Sequence, residues 1–247
     1  MSGVLRRGVL AGAGAGAALA LFLHLVGEPT MARAIVLEAQ RDVGGAGEDL
    51  FSRGAQEVGG ALGALAYGVC LGLVAAVVLA SGRRASEGQD QSEWRRAMAL
   101  AALGFVSVVL VPFLKYPANP PGVGDPDTVG RRTALFLALL AWSVLATWGS
   151  WRLYGWLRER GWHEQSRWAA AAGVYAAAAA AALIALPSSP DAVEVPAGLL
   201  WRFRTASLGG SAVFWAVLGW ILGCLAKRDR ASDAGLPGPS RSHRLRR

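Results

Sequence analysis

Long apolar stretches alternate with short polar ones along the chain. Six stretches contain no Asp, Glu, Lys or Arg, and they cover residues 8–26, 59–80, 97–114, 133–151, 168–186 and 207–226. A helix rises about 1.5 Å per residue and the hydrocarbon core of a bilayer is about 30 Å thick, so the shorter stretches just reach across it. The pattern predicts an all-α integral membrane protein whose six transmembrane helices form three hairpins.

The basic residues are unevenly divided between the polar segments. Of the 25 Lys and Arg residues, 17 lie in the N-terminal residues, two short links and the C-terminal tail, and the other eight lie in three longer loops. Lys and Arg are enriched in cytoplasmic loops, so both termini are predicted to be cytoplasmic. The links are residues 81–96 and 152–167, and the outer loops are residues 27–58, 115–132 and 187–206.

The net charge of +8 has its main source in the C-terminal tail, residues 227–247, which contain seven Lys and Arg residues. We expect residues 1–226 to form one polytopic membrane domain and this basic tail to be disordered in the cytoplasm, in contact with anionic lipid. Because membrane topology accounts for the charge, we expect a lipid bilayer and no nucleic acid as a partner.

Two interpretations of the N-terminal stretch are open. Its basic start, apolar core and Ala32-Arg33-Ala34 resemble a cleavable signal peptide. The apolar run is long for a signal peptide, however, and Gly8, Gly12 and Gly16 recur at the spacing that lets helices approach closely, so a retained helix is favoured. The same spacing predicts close packing at three more glycine pairs, which are Gly59 with Gly63, Gly68 with Gly72, and Gly219 with Gly223.

The stretch PFLKYPANPPGVGDPDTVGRRT, residues 112–133, holds five prolines and five charged residues between two apolar runs. Pro120 and Pro121 fix their own φ angles and have no N–H, so this loop is predicted to be extended and stiff. Asp127 or Thr128 is predicted to cap the next helix.

Arg131 and Arg132 fall in the first turn of that helix, where cations oppose the helix dipole by about 0.3–1 kcal/mol each. We expect Asp125 and Asp127, which are nearest in sequence, to compensate these charges. Lipid phosphates and an anionic ligand or partner remain as alternatives.

His24 and Glu28 are the first candidates for metal ligands. They are four residues apart, so on a continuing helix they share a face, and Pro29 is predicted to end that helix at the outer membrane surface. An imidazole and a carboxylate suit a divalent first-row metal ion. The alternative is that His24 only hydrogen-bonds a neighbouring helix near the headgroups. Three further acids are predicted to complete such a site: Asp125, Asp127 and Glu194.

Other polar side chains of the outer loops are candidates for shaping the structure or for contacting a substrate. Glu38 has helical spacing to Arg33 and Arg41, which predicts ion pairs along one face. The full set is Arg33, Glu38, Lys115, Tyr116, Asn119, Arg131, Arg132, Arg202 and Arg204.

Four stretches of the sequence resemble one family: PFLKYPANPPGVGDPDTVGRRT, GEPTMARAIVLE, SRGAQEVGGALG and EVPAGLLWRFRTASLG. Through them the chain resembles CbtA, a predicted cobalt transporter subunit associated with cobalt uptake for cobalamin synthesis. The resemblance implies a multi-pass protein of the bacterial cytoplasmic membrane, cobalt as the transported substrate and no permanently bound cofactor. It also implies a CbtB-like partner, a small single-span subunit with a histidine-rich end.

Two other classes of function remain open. Clustered arginines beside acids suit phosphate recognition, so a membrane enzyme acting at the outer face on an anionic or lipid-linked substrate is one. A non-transporting membrane scaffold is the other. The apolar stretches contain neither a carboxylate nor a P-loop motif, which argues against an ion-coupled relay and against ATP hydrolysis by this chain.

Reporter fusions test the predicted topology. Fusions at residues 90, 160 and 240 should report a cytoplasmic location, and fusions at residues 45, 122 and 195 an exterior one, because the basic segments stay inside. An exterior signal at residue 240 would contradict the six-span topology.

Overall fold

The computed structural model describes residues 1–41, 52–84, 93–121, 123–189 and 195–235. Eight α-helices and no strand are present in these ranges. Two π-helical turns, Leu23–Gly27 and Phe105–Leu110, join α1 to α2 and α4 to α5, and a 3₁₀ turn, Pro126–Thr128, leads into α6. The helices are α1 Ser2–Phe22, α2 Glu28–Arg41, α3 Arg53–Arg84, α4 Glu93–Gly104, α5 Val111–Lys115, α6 Val129–Glu159, α7 Glu164–Ala185 and α8 Ala197–Gly235.

Six continuous helical segments are long and apolar enough to cross a bilayer, which confirms the predicted fold class. All but Glu164–Ala185 extend beyond the corresponding charge-free stretch at both ends, and that one does so at its N-terminal end, because a helix continues to satisfy its backbone while its terminal side chains are polar. The last helix reaches Gly235, inside the tail predicted to be disordered, and residues 236–247 lie outside the described ranges. The segments are Ser2–Val36, Arg53–Gly82, Glu93–Lys115, Pro126–Glu159, Glu164–Ala185 and Ala197–Arg228.

The backbones of α1 and α3 lie in direct contact along a seam of small residues. A Cβ atom added to Gly16 would lie 2.6 Å from the carbonyl oxygen of Ala64, and one added to Gly8 would lie 2.8 Å from that of Gly72. Gly12 meets Gly68 midway between them. This confirms the predicted close packing and makes α1 an integral part of the bundle.

The helix α8 packs against both α1 and α4 and completes the larger core. Its buried side chains include Phe214, Trp215 and Leu218, which meet Ala11 and Ala101 of those two helices. The pair Gly219 and Gly223 also behaves as predicted, since Gly219 faces Ala101 and Gly223 faces the side chain of Trp94.

The helices α6 and α7 form a second packing unit. Leu139 is fully buried against Ala179 and Ala182. Ser143 Oγ and Tyr175 OH lie 2.9 Å apart in a hydrogen bond between the two helices. This unit meets the larger core mainly through the turn Phe105–Leu110 and α5, so the third span joins the two units.

Two local predictions were wrong. No atom beyond the local helix lies within 4 Å of a Cβ placed on Gly59 or Gly63 in the described structure, so this pair does not pack closely. Pro29 does not end its helix, because the preceding π-helical turn displaces the carbonyl that the proline ring would otherwise meet, and α2 continues beyond it.

The seam gives a test of stability. Gly12→Ala should lower the unfolding temperature of the purified protein, because its methyl group meets the Gly68 backbone; overpacking of this kind costs about 1–3 kcal/mol. Gly63→Ala is the matched control, since its methyl group meets open space. Equal unfolding temperatures for the two variants would contradict the seam.

Candidate functional site

The ends of the spans that carry residues 23–28, 115–128, 183–187 and 201–204 meet on one side of the protein, which we call the loop face. Hydrogen bonds across this side link the third span to the fifth and sixth, and an ion pair links the first to the second. Within it, the segment from Tyr116 to Thr128 is called the proline loop.

Asp125 lies in the proline loop, directly before the fourth span. Its carboxylate accepts a hydrogen bond of 2.9 Å from the backbone N–H of Asp127, and its carbonyl accepts one of 2.8 Å from the Thr128 hydroxyl. Capping was predicted for Asp127 or Thr128, but Asp125 provides the cap. The reason is that the 3₁₀ turn Pro126–Thr128 precedes α6 and brings the N–H groups without a helical acceptor toward Asp125.

Arg132 binds main-chain carbonyls of the proline loop. Its guanidinium donates to the carbonyl oxygens of Val123 and Asp125, at 3.3 and 3.4 Å. The predicted ion pairing of Arg131 and Arg132 with the carboxylates of Asp125 and Asp127 is not seen among the described residues. The 3₁₀ turn brings carbonyl groups toward Arg132, while Arg131 is exposed.

Lys115 and Tyr116 hold the C-terminal end of α7. Lys115 Nζ donates to the carbonyl of Leu183 at 2.8 Å, where a cation also complements the helix dipole. Tyr116 OH donates to the carbonyl of Pro187 at 2.7 Å. Desolvation raises the pKa of the Tyr116 phenol above 10.0, so this hydroxyl keeps its proton at neutral pH.

Arg204 binds the middle of the proline loop from the first turns of α8. Its Nη2 donates to Asn119 Oδ1 at 2.9 Å, and its Nε donates to the carbonyl of Ala118 at 3.3 Å. Planar guanidinium groups hold such paired acceptors in a fixed geometry, so the loop is fixed to the sixth span.

The contacts of Arg132 and Arg204 share one cause. Proline has no N–H, so the proline loop, which contains four prolines, carries more carbonyl acceptors than backbone donors. Arg132 and Arg204 donate to carbonyl oxygens of this loop, while Lys115 donates to the last turn of α7 beside it. The arginines of the fourth and sixth spans therefore hold a donor-poor backbone in place.

Glu28 and Arg53 form a close ion pair that connects the first span to the second. Arg53 also donates to Gln56 Oε1 at 3.1 Å and lies 3.8 Å from Glu57. The sequence did not lead us to predict this ion pair of Arg53. The signal for it was the position of an arginine at the start of the second span.

His24 is exposed and lies inside the π-helical turn that precedes Glu28. The prediction that His24 and Glu28 share a face assumed α-helical geometry. The chain instead passes through the π-helical turn Leu23–Gly27 before Glu28 begins α2, and the shared face of the two side chains stays a prediction.

The candidate metal ligands are not gathered into one cluster in the described ranges. No group of three or more His, Cys, Asp and Glu side chains there could hold a metal ion. Asp125 and Asp127 are both exposed at the surface of the proline loop. Glu194 and the side chain of Glu38 lie outside the described parts of the chain, so the predicted metal site stays a prediction.

The family model described as "Probable cobalt transporter subunit (CbtA)" matches residues 1–227. No curated protein and no solved structure matches the chain.

Arg204 gives a test of how the loop is held. Arg204→Ala should lower stability by about 1–3 kcal/mol, because hydrogen bonds to charged groups are lost and the Asn119 and Ala118 acceptors are left unpaired. Arg202→Ala, which changes an exposed neighbour, is the control and should stay within about 0.5 kcal/mol.

Thermal unfolding of single and double variants measures this directly. The double variant Arg204→Ala with Asn119→Ala should lose less than the sum of the two single losses, because the residues are in contact. Additive losses would show that the contact contributes nothing to stability.

Proposed function

The chain belongs to the CbtA family of probable cobalt transporter subunits, and we propose from this that it captures a cobalt ion at the outer membrane face and passes it inward. The observation that carries the proposal is the family match over residues 1–227, which covers the whole loop face, five spans and all but the last residue of the sixth. The excess of basic residues on the opposite side supports an outward orientation of the loop face.

The way the proline loop is held supports capture of a cation there. Lys115, Arg132 and Arg204 donate hydrogen bonds to main-chain carbonyls. Among the described residues, none of the three forms an ion pair with Asp125 or Asp127. Those two carboxylates stay exposed at the surface. Carboxylate and imidazole groups are suitable ligands for divalent first-row metals.

We assign the first contact with the ion to His24, together with Asp125, Asp127 and Glu194. Glu28 enters this site only by exchanging its ion pair with Arg53 for the metal. The chain has three histidines in total, so an imidazole-rich shell requires another subunit. A CbtB-like partner with a histidine-rich end fits that requirement.

The arrangement favours transport over the enzymatic alternative. Arg132 and Arg204, two of the arginines that suggested phosphate recognition, contact the proline loop instead of facing an open cleft. Their hydrogen bonds explain their presence without a bound phosphate.

Uptake of radiolabelled cobalt by cells that express the chain with a histidine-rich partner tests the assignment. His24→Ala should reduce the initial rate about tenfold if it removes a ligand worth about 1.4 kcal/mol. His163→Ala is the matched control, because His163 is also exposed but precedes α7 at the opposite membrane face.

Glu28→Gln should reduce uptake more than Glu57→Gln, although both variants remove a carboxylate that faces Arg53. Membrane levels of each variant must match the wild type. Wild-type uptake in both His24→Ala and Glu28→Gln would remove these two residues from the pathway.

A further inference from the structure

Both π-helical turns stand in the same relation to a proline. The turn Leu23–Gly27 ends two residues before Pro29, and the turn Phe105–Leu110 ends two residues before Pro112. Both lie in the half of a span nearer the loop face, and both pack against α8. The first and third spans therefore share one local structure, a π-helical turn followed by a proline.

The hydrogen-bond register of this turn leaves the carbonyl of Ser107 without a helical donor from the residues four and five ahead. The N–H four residues ahead belongs to Val111, and it donates to Val106 instead. The position five residues ahead is Pro112, which has no N–H. The Ser107 hydroxyl donates to the carbonyl of Leu103 at 2.7 Å, so its oxygen lone pairs remain available as well.

Ser107 is buried where the two packing units of the protein meet. Only 4% of its surface is exposed. The neighbouring Val108 packs on the larger core, and Val106 packs on the unit formed by α6 and α7. Eight residues separate Ser107 from Lys115, which places it about 12 Å below the loop face.

A carbonyl without a donor is costly at this depth. In a bilayer each unsatisfied backbone group costs several kcal/mol, and irregular backbone is tolerated where it is enclosed by protein or lines a polar path. Transporters present main-chain carbonyl oxygens to cations where the hydrogen-bond pattern of a spanning helix is broken. The two oxygens of Ser107 offer lone pairs, which suit a cation and not an anion.

We propose that the main-chain carbonyl and the hydroxyl oxygens of Ser107 form an intramembrane contact point for the transported divalent cation, which arrives there with part of its water shell. This inference rests on the proposed transport function. Two oxygen ligands bind weakly enough for the ion to leave again, as passage requires.

The same combination of a π-helical turn and a proline occurs at His24, nearer the membrane surface. Glu28 N–H donates to the carbonyl of Leu23, and Pro29 has no N–H, so the carbonyl of His24 lacks a main-chain donor in turn. His24 thus offers an imidazole nitrogen and a carbonyl oxygen from one residue. The first and third spans therefore each hold a carbonyl group that lacks its helical donor, by the same mechanism.

Substitution of Pro112 tests the proposal because it returns the missing N–H. Pro112→Ala and Pro112→Val both supply a donor to the turn, and valine keeps more of the buried volume. We expect cobalt uptake to fall at least fivefold in both. Pro187→Ala is the matched control, since Pro187 follows α7 without a π-helical turn and keeps its carbonyl for Tyr116.

Ser107→Ala covers the case in which the proline variants fail to fold, because it removes a hydroxyl and leaves the backbone unchanged. Ser211→Ala is its control, since that hydroxyl also donates back along its own helix, to Ser207 at 3.0 Å. In purified protein in lipid nanodiscs, cobalt chloride should raise the unfolding temperature of wild type and Ser211→Ala, and raise that of Ser107→Ala by less than half as much.

The outcomes separate this inference from the proposed function. Wild-type uptake and a wild-type cobalt-induced shift in Ser107→Ala, and in every Pro112 variant that folds, would overturn the assignment of Ser107 while transport stands. Absence of cobalt uptake in the wild type with its partner would overturn the transport function, and with it the site.

Discussion

Main-chain carbonyl groups determine how the loop face of this protein is built. At a membrane surface rich in proline, backbone donors are fewer than acceptors, and each unpaired acceptor carries a cost in free energy. Lys115, Tyr116, Arg132 and Arg204 each donate to such a carbonyl, and together they connect three spans to the proline loop. The basic residues around that loop follow from this one requirement.

The interior follows a different rule. In lipid there is little hydrophobic gain from bringing helices together, so close contact of backbones through small residues decides which helices pair. The seam between α1 and α3 places the first span inside the larger core, beside α8. The unit of α6 and α7 is attached mainly through the third span, whose π-helical turn thus lies where both units meet.

The six spans could be predicted because charge-free stretches of sufficient length have few alternatives in a bilayer. The Gly8–Gly12–Gly16 seam was predictable for the same reason, since its spacing is a direct property of a helix. Gly59 and Gly63 show the limit: their spacing is equally suitable, but spacing does not say which face meets a neighbour.

The errors at the loop face have a common source. Ion pairing of Arg132 with acids, and termination of the helix at Pro29, were inferred from side-chain charge and from an ideal α-helix. The structure instead assigns Arg132 to carbonyls and inserts a π-helical turn before Pro29. A pattern of charges shows neither the backbone register nor the shortage of N–H groups. The number of prolines in the sequence, however, does indicate that shortage.

The central claim is that this chain moves cobalt inward from the face that carries the proline loop. The most direct test measures accumulation of radiolabelled cobalt over time in cells that lack other cobalt uptake systems, with and without this chain, in the presence of a histidine-rich partner subunit. The account predicts accumulation that depends on the chain and exceeds the amount bound at the cell surface. Equal accumulation with and without the chain would contradict it.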